Sequence, residues 1–301
     1  MRKCLSASVL KTIALITMFI DHLGMTVVME YEQIYLHRGP EGAVAHIMRI
    51  IGAIAFILYA FLLSEGFSHT SDKKKYALRL AVLAVISEVP YDLANEYRIV
   101  NIWSQNIFFT LLIGYLTIWA IDELRCRVLA AEPKEDPENV GAHIRKCALL
   151  TVLVILLGMI LTEVLRTDYG LMGVAIIVTF YLLRGRRIMP FVSLAVIYIG
   201  HLLNDICYMF VHELKYVRRV TQVGIDRSFS VKQVLSGIPG SLKYDSVWRL
   251  VNTMPSAVVA LLLICRYNGL KGRQLPKAFY YLFYPVHFLL LYFAVKMLVW
   301  R

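Results

Sequence analysis

One apolar segment of the chain contains three ionisable side chains. Lys11, Asp21 and His22 lie within the otherwise hydrophobic run 10–28. Placing such side chains inside a bilayer is costly, so in a membrane helix they mark a functional site by default. At about 100° per residue, the step from Lys11 to His22 returns to nearly the same helix face, about 16 Å along the axis. The two side chains are therefore predicted to lie at two depths of one path.

A histidine beside carboxylates is typical of general-base catalysis. A hydroxyl or amine that attacks an acyl group needs a base within hydrogen-bond reach, and histidine titrates near neutral pH. We predict that His22 is this base, with Asp21 or Glu65 orienting its ring. Neighbouring helix residues point about 100° apart, which favours Glu65 over Asp21 as the partner.

Further polar residues recur near the ends of the apolar runs. Lys11 and Arg49 are candidates for neutralising phosphates or a developing oxyanion. A basic edge, which is a second candidate phosphate site, consists of His69, Lys73, Lys74 and Lys75. Polar groups at this density in membrane helices predict a lined cavity, with candidate substrate-binding residues Glu88, Asp92, Asn106 and His287.

Simpler interpretations of these residues remain open. Lys11 can extend to the membrane surface, and His22 can be a packing histidine with satisfied hydrogen bonds. Glu65 and Asp92 can cap or pair near helix ends, as carboxylates often do. An interfacial position explains His287 equally well, and the lysines after residue 72 also fit a cytoplasmic loop.

The composition indicates a membrane protein. Hydrophobic residues make up 58% of the chain and charged residues 18%, whereas about a quarter of a soluble domain is charged. Long apolar runs recur, several of them near the roughly 20 residues that a membrane-spanning helix needs. We predict an all-α, polytopic bundle of about nine to ten transmembrane helices around a polar cavity. The predicted spans are 5–29, 44–66, 77–94, 103–121, 147–165, 171–184, 188–211, 247–265 and 277–299.

Charge in the connections predicts the orientation of the bundle. Basic residues near the N-terminus and in 73–79, 184–187 and 266–277 all fall on one side if the spans alternate. The positive-inside rule places this side, with the N-terminus, in the cytoplasm. The segment 212–246 is also basic but is predicted on the opposite side, as a long loop or an interfacial helix.

The domain organisation is predicted to be simple. We predict one transmembrane domain, 1–301. A cytoplasmic linker is predicted at 122–146, where charged residues and prolines are frequent. The net charge of +11 lies in loops and not on a soluble domain, which excludes nucleic-acid binding. The five cysteines are widely spaced, so the sequence predicts neither a disulfide framework nor a metal site.

Clusters of polar residues lie in six segments of the chain: 11–24, 49–75, 88–93, 106–111, 168–173 and 281–290. In these segments the chain resembles the TraX family, membrane proteins that include the conjugative F-pilin acetylation protein. Lys11 and His22 also look like the R/K-x10-H pattern in the first helix of membrane acyltransferase-3 proteins.

The resemblance implies acetyl transfer in a bacterial cytoplasmic membrane. The implied donor is acetyl-CoA from the cytoplasm, and the acceptor is a hydroxyl or amine within or across the bilayer. In the family's known case the acceptor is the N-terminal amine of a pilin, but a peptide amine, a glycan or another small molecule all remain open here. The acyl group can be transferred first to His22 or directly to the acceptor, and both routes require His22. The choice between O- and N-acetylation is also open.

Two other classes of function also remain open. A proton-coupled transporter also uses intramembrane His, Asp, Glu and Lys residues, and would move its substrate without consuming CoA. A structural or assembly protein would tolerate alanine at His22. The acyltransferase hypothesis predicts that the same change abolishes turnover and leaves folding intact.

Overall fold

The described part of the chain is almost entirely helical. The computed structural model describes residues 4–36, 42–131, 137–186, 188–197, 199–200 and 254–299. Within these ranges, β-structure is limited to isolated bridges, and residues 189–197 are helical. The other helices are α1 (Ala7–Leu23), α2 (Met29–Tyr35), α3 (Ala43–His69), α4 (Lys73–Glu96), α5 (Ile107–Ala131), α6 (Pro137–Val164), α7 (Gly170–Leu182), α8 (Met254–Cys265) and α9 (Lys277–Leu298).

Five helical segments in the described ranges are long and apolar enough to cross a membrane. They are Ala7–Tyr35, Ala43–His69, Ile107–Arg127, Gly141–Val164 and Ala278–Leu298. The first combines α1 and α2, which are joined by a π-helical segment, Gly24–Val28. The all-α, multi-pass membrane prediction is therefore confirmed.

The predicted number of nine to ten spans is not confirmed. α4 is long enough to span but carries Arg79, Glu88 and Asp92, and α7 and α8 are shorter apolar helices. The predicted spans 188–211 and 247–265 lie only partly within the described residues, and the basic segment 212–246 lies outside them.

The predicted linker 122–146 contains more helix than expected. Residues 122–131 extend α5, and residues 137–146 begin α6. Residues 122–131 contain several alanine, leucine and arginine residues, which have high helix propensity, so charge alone does not end α5 here.

The core of the bundle lies between α3, α5 and α7. Leu58, Ile118 and Ile177 are fully or almost fully buried there. The rings of Phe61 on α3 and Phe180 on α7 meet edge to face, with centroids 5.7 Å apart. α1 packs along α3, and its residues Leu10 and Ala14 are buried in the same core.

The end of the bundle where α1, α4 and α9 begin is called the basic end. Segment 266–276 lies against the start of the chain there: Arg266 accepts from the Cys4 amide at 2.9 Å, and Leu270 accepts from the Ala7 amide at 2.9 Å. Lys73 on α4 pairs with Asp122 on α5 at 2.6 Å. These bonds bring the basic connections together on one side of the bundle.

The opposite end is closed by two connections that bond to each other. Gln105 donates its amide to Arg166 at 3.1 Å, and the Asp168 amide donates to Gln105 at 3.0 Å. The hydroxyl of Thr110 donates to that of Thr167 at 3.0 Å. The short loop between α6 and α7 is therefore held against the bundle, which fixes the position of Asp168.

Candidate active site

A cavity of about 390 Å³ lies between α1, α3, α4 and α9. Its walls are mainly aliphatic and aromatic. Lys11 and Gln274 line it at the basic end, and Asp21, His22 and Asp168 line it at the deep end. Lys11 and His22 thus share one cavity, separated by about 16 Å along α1.

The cavity mouth at the basic end is built around Lys11. Its ammonium group donates to Gln274 Oε1 at 3.2 Å. The same ammonium lies 5.4 Å from the centre of the Tyr280 ring on α9. Arg79 on α4 also lines the cavity, so two cations are available at its walls. This end is suited to the binding of an anionic group.

The deep end contains a pair of histidines from helices at opposite ends of the sequence. His22 Nδ1 on α1 lies 2.6 Å from His287 Nε2 on α9. The two rings are nearly parallel, with planes 10° apart and centroids 4.9 Å apart. The partner of His22 in the structure is therefore an imidazole.

The hydrogen bonds of this pair determine where the protons lie. His287 Nδ1 is 2.8 Å from the carbonyl oxygen of Phe283, which can only accept, so this nitrogen carries hydrogen. A neutral His287 then has a lone pair at Nε2, which accepts from Nδ1–H of His22. The lone pair of His22 consequently lies at Nε2, the nitrogen that a general base needs free.

The histidine pair is shielded from water. His22 is 9% exposed and His287 is 3% exposed. The Phe288 ring lies 4.3 Å from the His22 ring, and the Tyr284 ring lies 5.8 Å away. A base in such surroundings meets little competing solvent.

A charged cluster adjoins the histidines. Asp21 precedes His22 on α1, Asp168 lies in the connection before α7, and the charge of Arg49 on α3 acts on both carboxyl groups and on His22. Burial raises the pKa of Asp168 to about 6, although Arg49 and the Tyr169 amide act in the other direction. Arg49 therefore lies near the deep end and not at the mouth, where a phosphate would bind.

Glu65 does not meet His22. Its carboxylate pairs with Arg184, with Nε 2.6 Å from Oε1, at the basic end. Glu65 lies 13 residues after Gly52, which contacts Asp21, so it is about 20 Å further along α3 than the site of the histidines. The partner of His22 is therefore His287 and not Glu65, and no sequence pattern indicated that the helix of His287 packs near α1.

The predicted basic edge lies outside the cavity lining. His69 Nδ1 is 2.8 Å from the carbonyl of Glu65, near the end of α3. Lys73 is paired with Asp122 and lies 4.9 Å from the centre of the Phe67 ring. Lys74 is exposed.

None of the four predicted substrate-binding residues lines the cavity. Asn106 donates its side-chain amide to Ala84 at 2.8 Å and also bonds to Glu88. Asp92 accepts from the Asn101 amide at 2.6 Å. These side chains hold the connection between α4 and α5. Of the four predicted residues, only His287 bonds to the candidate base, His22.

The sequence prediction of the site omitted Asp168 and Tyr169, both of which line the cavity. A signal was present, because an acidic and an aromatic residue directly precede the apolar run of α7. The described residues contain no group of three or more His, Cys, Asp or Glu that could hold a metal ion.

Comparison with known proteins identifies a family. No curated protein and no solved structure matches the chain. A family model described as "TraX protein" matches residues 6–295, which is nearly the whole sequence. The match includes the helices that carry Lys11, His22 and His287. The chain therefore belongs to the TraX protein family.

Proposed function

We propose that this protein is a membrane-embedded acetyltransferase that moves an acetyl group from acetyl-CoA to a hydroxyl or amine, with His22 as the base. The observation that carries the proposal is the His22–His287 hydrogen bond at 2.6 Å, which leaves a lone pair on His22 Nε2. Membership of the TraX family supports a role in acetylation.

The reaction follows from general-base catalysis. The hydroxyl or amine gives its proton to His22 Nε2 as its oxygen or nitrogen attacks the thioester carbonyl carbon. The carbon–sulfur bond then breaks, and the proton passes from His22 to the departing sulfur, which leaves as the thiol. His22 ends the cycle neutral, and His287 accepts the Nδ1–H bond throughout.

Charged groups near His22 act on this proton transfer in opposite directions. His22 becomes an imidazolium for part of the cycle, and the carboxyl groups of Asp21 and Asp168 line the same end of the cavity. Nearby negative charge stabilises the protonated imidazole. Arg49 limits this effect, because its positive charge acts on the same three groups.

The cavity also suits the proposed donor. Its walls are mostly apolar, as expected for a narrow thioester arm, and Lys11 and Arg79 provide positive charge for phosphates. By the positive-inside rule, we assign the basic end to the cytoplasm, where acetyl-CoA is made. The donor would then enter from the cytoplasm and present its acetyl group to His22.

The first test is acetyl transfer by purified protein in detergent or liposomes. Release of CoA thiol and incorporation of labelled acetyl are measured for the wild type and for His22→Ala. We expect His22→Ala to lower the rate at least about 100-fold, as loss of a general base does. The matched control is His143→Ala on α6, an exposed histidine outside the cavity lining, which should retain wild-type rates.

The alternatives give different results in this experiment. A folded wild type that neither binds nor consumes acetyl-CoA would overturn the proposal. Movement of a solute across liposomes without thiol release would instead indicate a proton-coupled transporter. Equal activity of the wild type and His22→Ala would exclude His22 as the base.

A further inference from the structure

Tyr280 on α9 has a buried hydroxyl group without a hydrogen-bond partner among the described residues. The other side chains with such unpartnered buried atoms lie outside the cavity lining, whereas Tyr280 lines it. A buried donor that makes no bond destabilises the protein, so its retention in a cavity indicates that an occupant supplies the acceptor.

The position of Tyr280 along the cavity is well defined. Its ring lies beside the Lys11 ammonium, 5.4 Å from ring centre to Nζ, near the mouth. His287 follows seven residues later on the same helix, so the two lie about 10 Å apart along α9. Tyr280 thus lies beside the cationic mouth, about 10 Å from the histidine pair along α9.

This spacing matches a feature of the proposed donor. The arm of acetyl-CoA contains two amides. If the arm is extended like a peptide chain, the second amide lies roughly 9 Å from the sulfur. With the thioester at His22, the second amide would lie near the level of Tyr280, and the phosphates would continue towards Lys11 and Arg79. An amide carbonyl is the acceptor that a phenol hydroxyl needs.

We propose that Tyr280 donates a hydrogen bond to the amide of the donor arm that is farther from the sulfur. Tyr280 thereby selects donors with a full pantetheine arm over shorter thioesters. This assignment rests on the proposed acetyltransferase function. It makes Tyr280 a binding residue and not a group that takes part in proton transfer.

The test compares two donors on two variants. Acetyl-CoA contains both amides, whereas S-acetyl-N-acetylcysteamine contains only the amide nearer the sulfur. Binding of each donor is measured by calorimetry, and KM and kcat are measured by thiol release, for the wild type, Tyr280→Phe and Tyr292→Phe. Tyr292 is on the same helix outside the cavity lining and serves as the matched control.

We expect Tyr280→Phe to raise the Kd and KM for acetyl-CoA about five- to tenfold with kcat within about twofold, as loss of one neutral hydrogen bond does. The short donor should bind the wild type and Tyr280→Phe equally. Unchanged acetyl-CoA binding, or an equal loss for both donors, would overturn the assignment. If the wild type transfers acetyl groups and Tyr280→Phe leaves the Kd and KM for acetyl-CoA unchanged, only this inference is refuted. If the wild type binds neither donor, the proposed function is refuted as well.

Discussion

At the scale of single residues, the contact between His22 and His287 distinguishes this site from a histidine–carboxylate pair. A carboxylate partner would strengthen the base by its charge. A neutral imidazole supplies only a lone pair, which fixes the ring and its tautomer. In the proposed mechanism His287 positions His22, so the effects of replacing the two residues should differ.

Replacing His287 tests this separation. His287→Ala should lower kcat about 10- to 100-fold with little change in the KM for acetyl-CoA, because His22 loses the acceptor for Nδ1–H. His287→Gln should restore part of the rate, since its amide oxygen can accept the same bond. Thiol release measured over a donor series gives both constants. Equal rates for His287→Ala and the wild type would contradict the role.

Asp168 leads to a prediction about pH. Burial raises its pKa from 3.8 to about 6 in the folded protein, so the folded state holds the proton more tightly than the unfolded state. The contribution of Asp168 to the free energy of unfolding is therefore fully present below about pH 4 and is lost as the pH rises through 6. Asp168→Asn should therefore show a smaller fall in Tm between pH 4.5 and pH 7 than the wild type, measured in detergent. An identical fall in both proteins would contradict the assigned shift.

At the scale of helices, the close packing of α1 and the following π-helical segment against α3 depends on two glycines. A Cβ at Gly52 would overlap the side chain of Asp21, and one at Gly24 would lie 2.7 Å from Met48 Cβ. The absence of side chains at these positions lets the helices pack closely, which positions Asp21 and His22 at the cavity wall.

Gly52→Ala tests this packing. We expect the overlap with Asp21 to destabilise the protein by about 1–3 kcal/mol and to lower activity, because α1 must shift. Gly141→Ala is the control, since its Cβ would meet only the far end of Arg145, 3.6 Å away. Thermal unfolding and thiol release are measured for both variants. A Gly52→Ala protein as stable and active as Gly141→Ala would show that the close approach is not required.

The ion pair between Glu65 and Arg184 joins the end of α3 to the turn after α7. A pair of this kind, partly exposed at the end of a bundle, contributes at most about 1 kcal/mol. Glu65→Gln should accordingly keep kcat within a few-fold of the wild type. A loss as large as that of His22→Ala would show that Glu65, and not His287, supports the base.

At the scale of the whole molecule, the basic connections gather at one end and the cavity opens towards it. This arrangement predicts that Lys74 faces the cytoplasm and Arg98, an exposed residue after α4, faces the other side. Lys74→Cys and Arg98→Cys are made in an active, cysteine-free background. A membrane-impermeant maleimide applied to intact cells should label only the cysteine at position 98, and the reverse pattern would invert the orientation.

Much of the architecture could be predicted from local properties of the chain. Apolar runs such as the one around Lys11 and His22 identify membrane helices, because hydropathy is summed over neighbouring residues. Helix periodicity places Lys11 and His22 on one face, and both line the cavity. Charge and proline did not give the ends of the neighbouring helices, because residues 122–131 extend α5 and residues 137–146 begin α6.

The sequence by itself determined the all-α membrane class of the protein, long apolar helices such as α1, α3 and α9, and the candidate base at His22. Only the tertiary structure decided that His287 is its partner, that Glu65 pairs elsewhere and that Asp168 reaches the cavity. Helix formation and membrane insertion depend on residues close in sequence. The partner of a buried polar group depends on which helices pack together, and His22 and His287 meet across 265 positions of the chain.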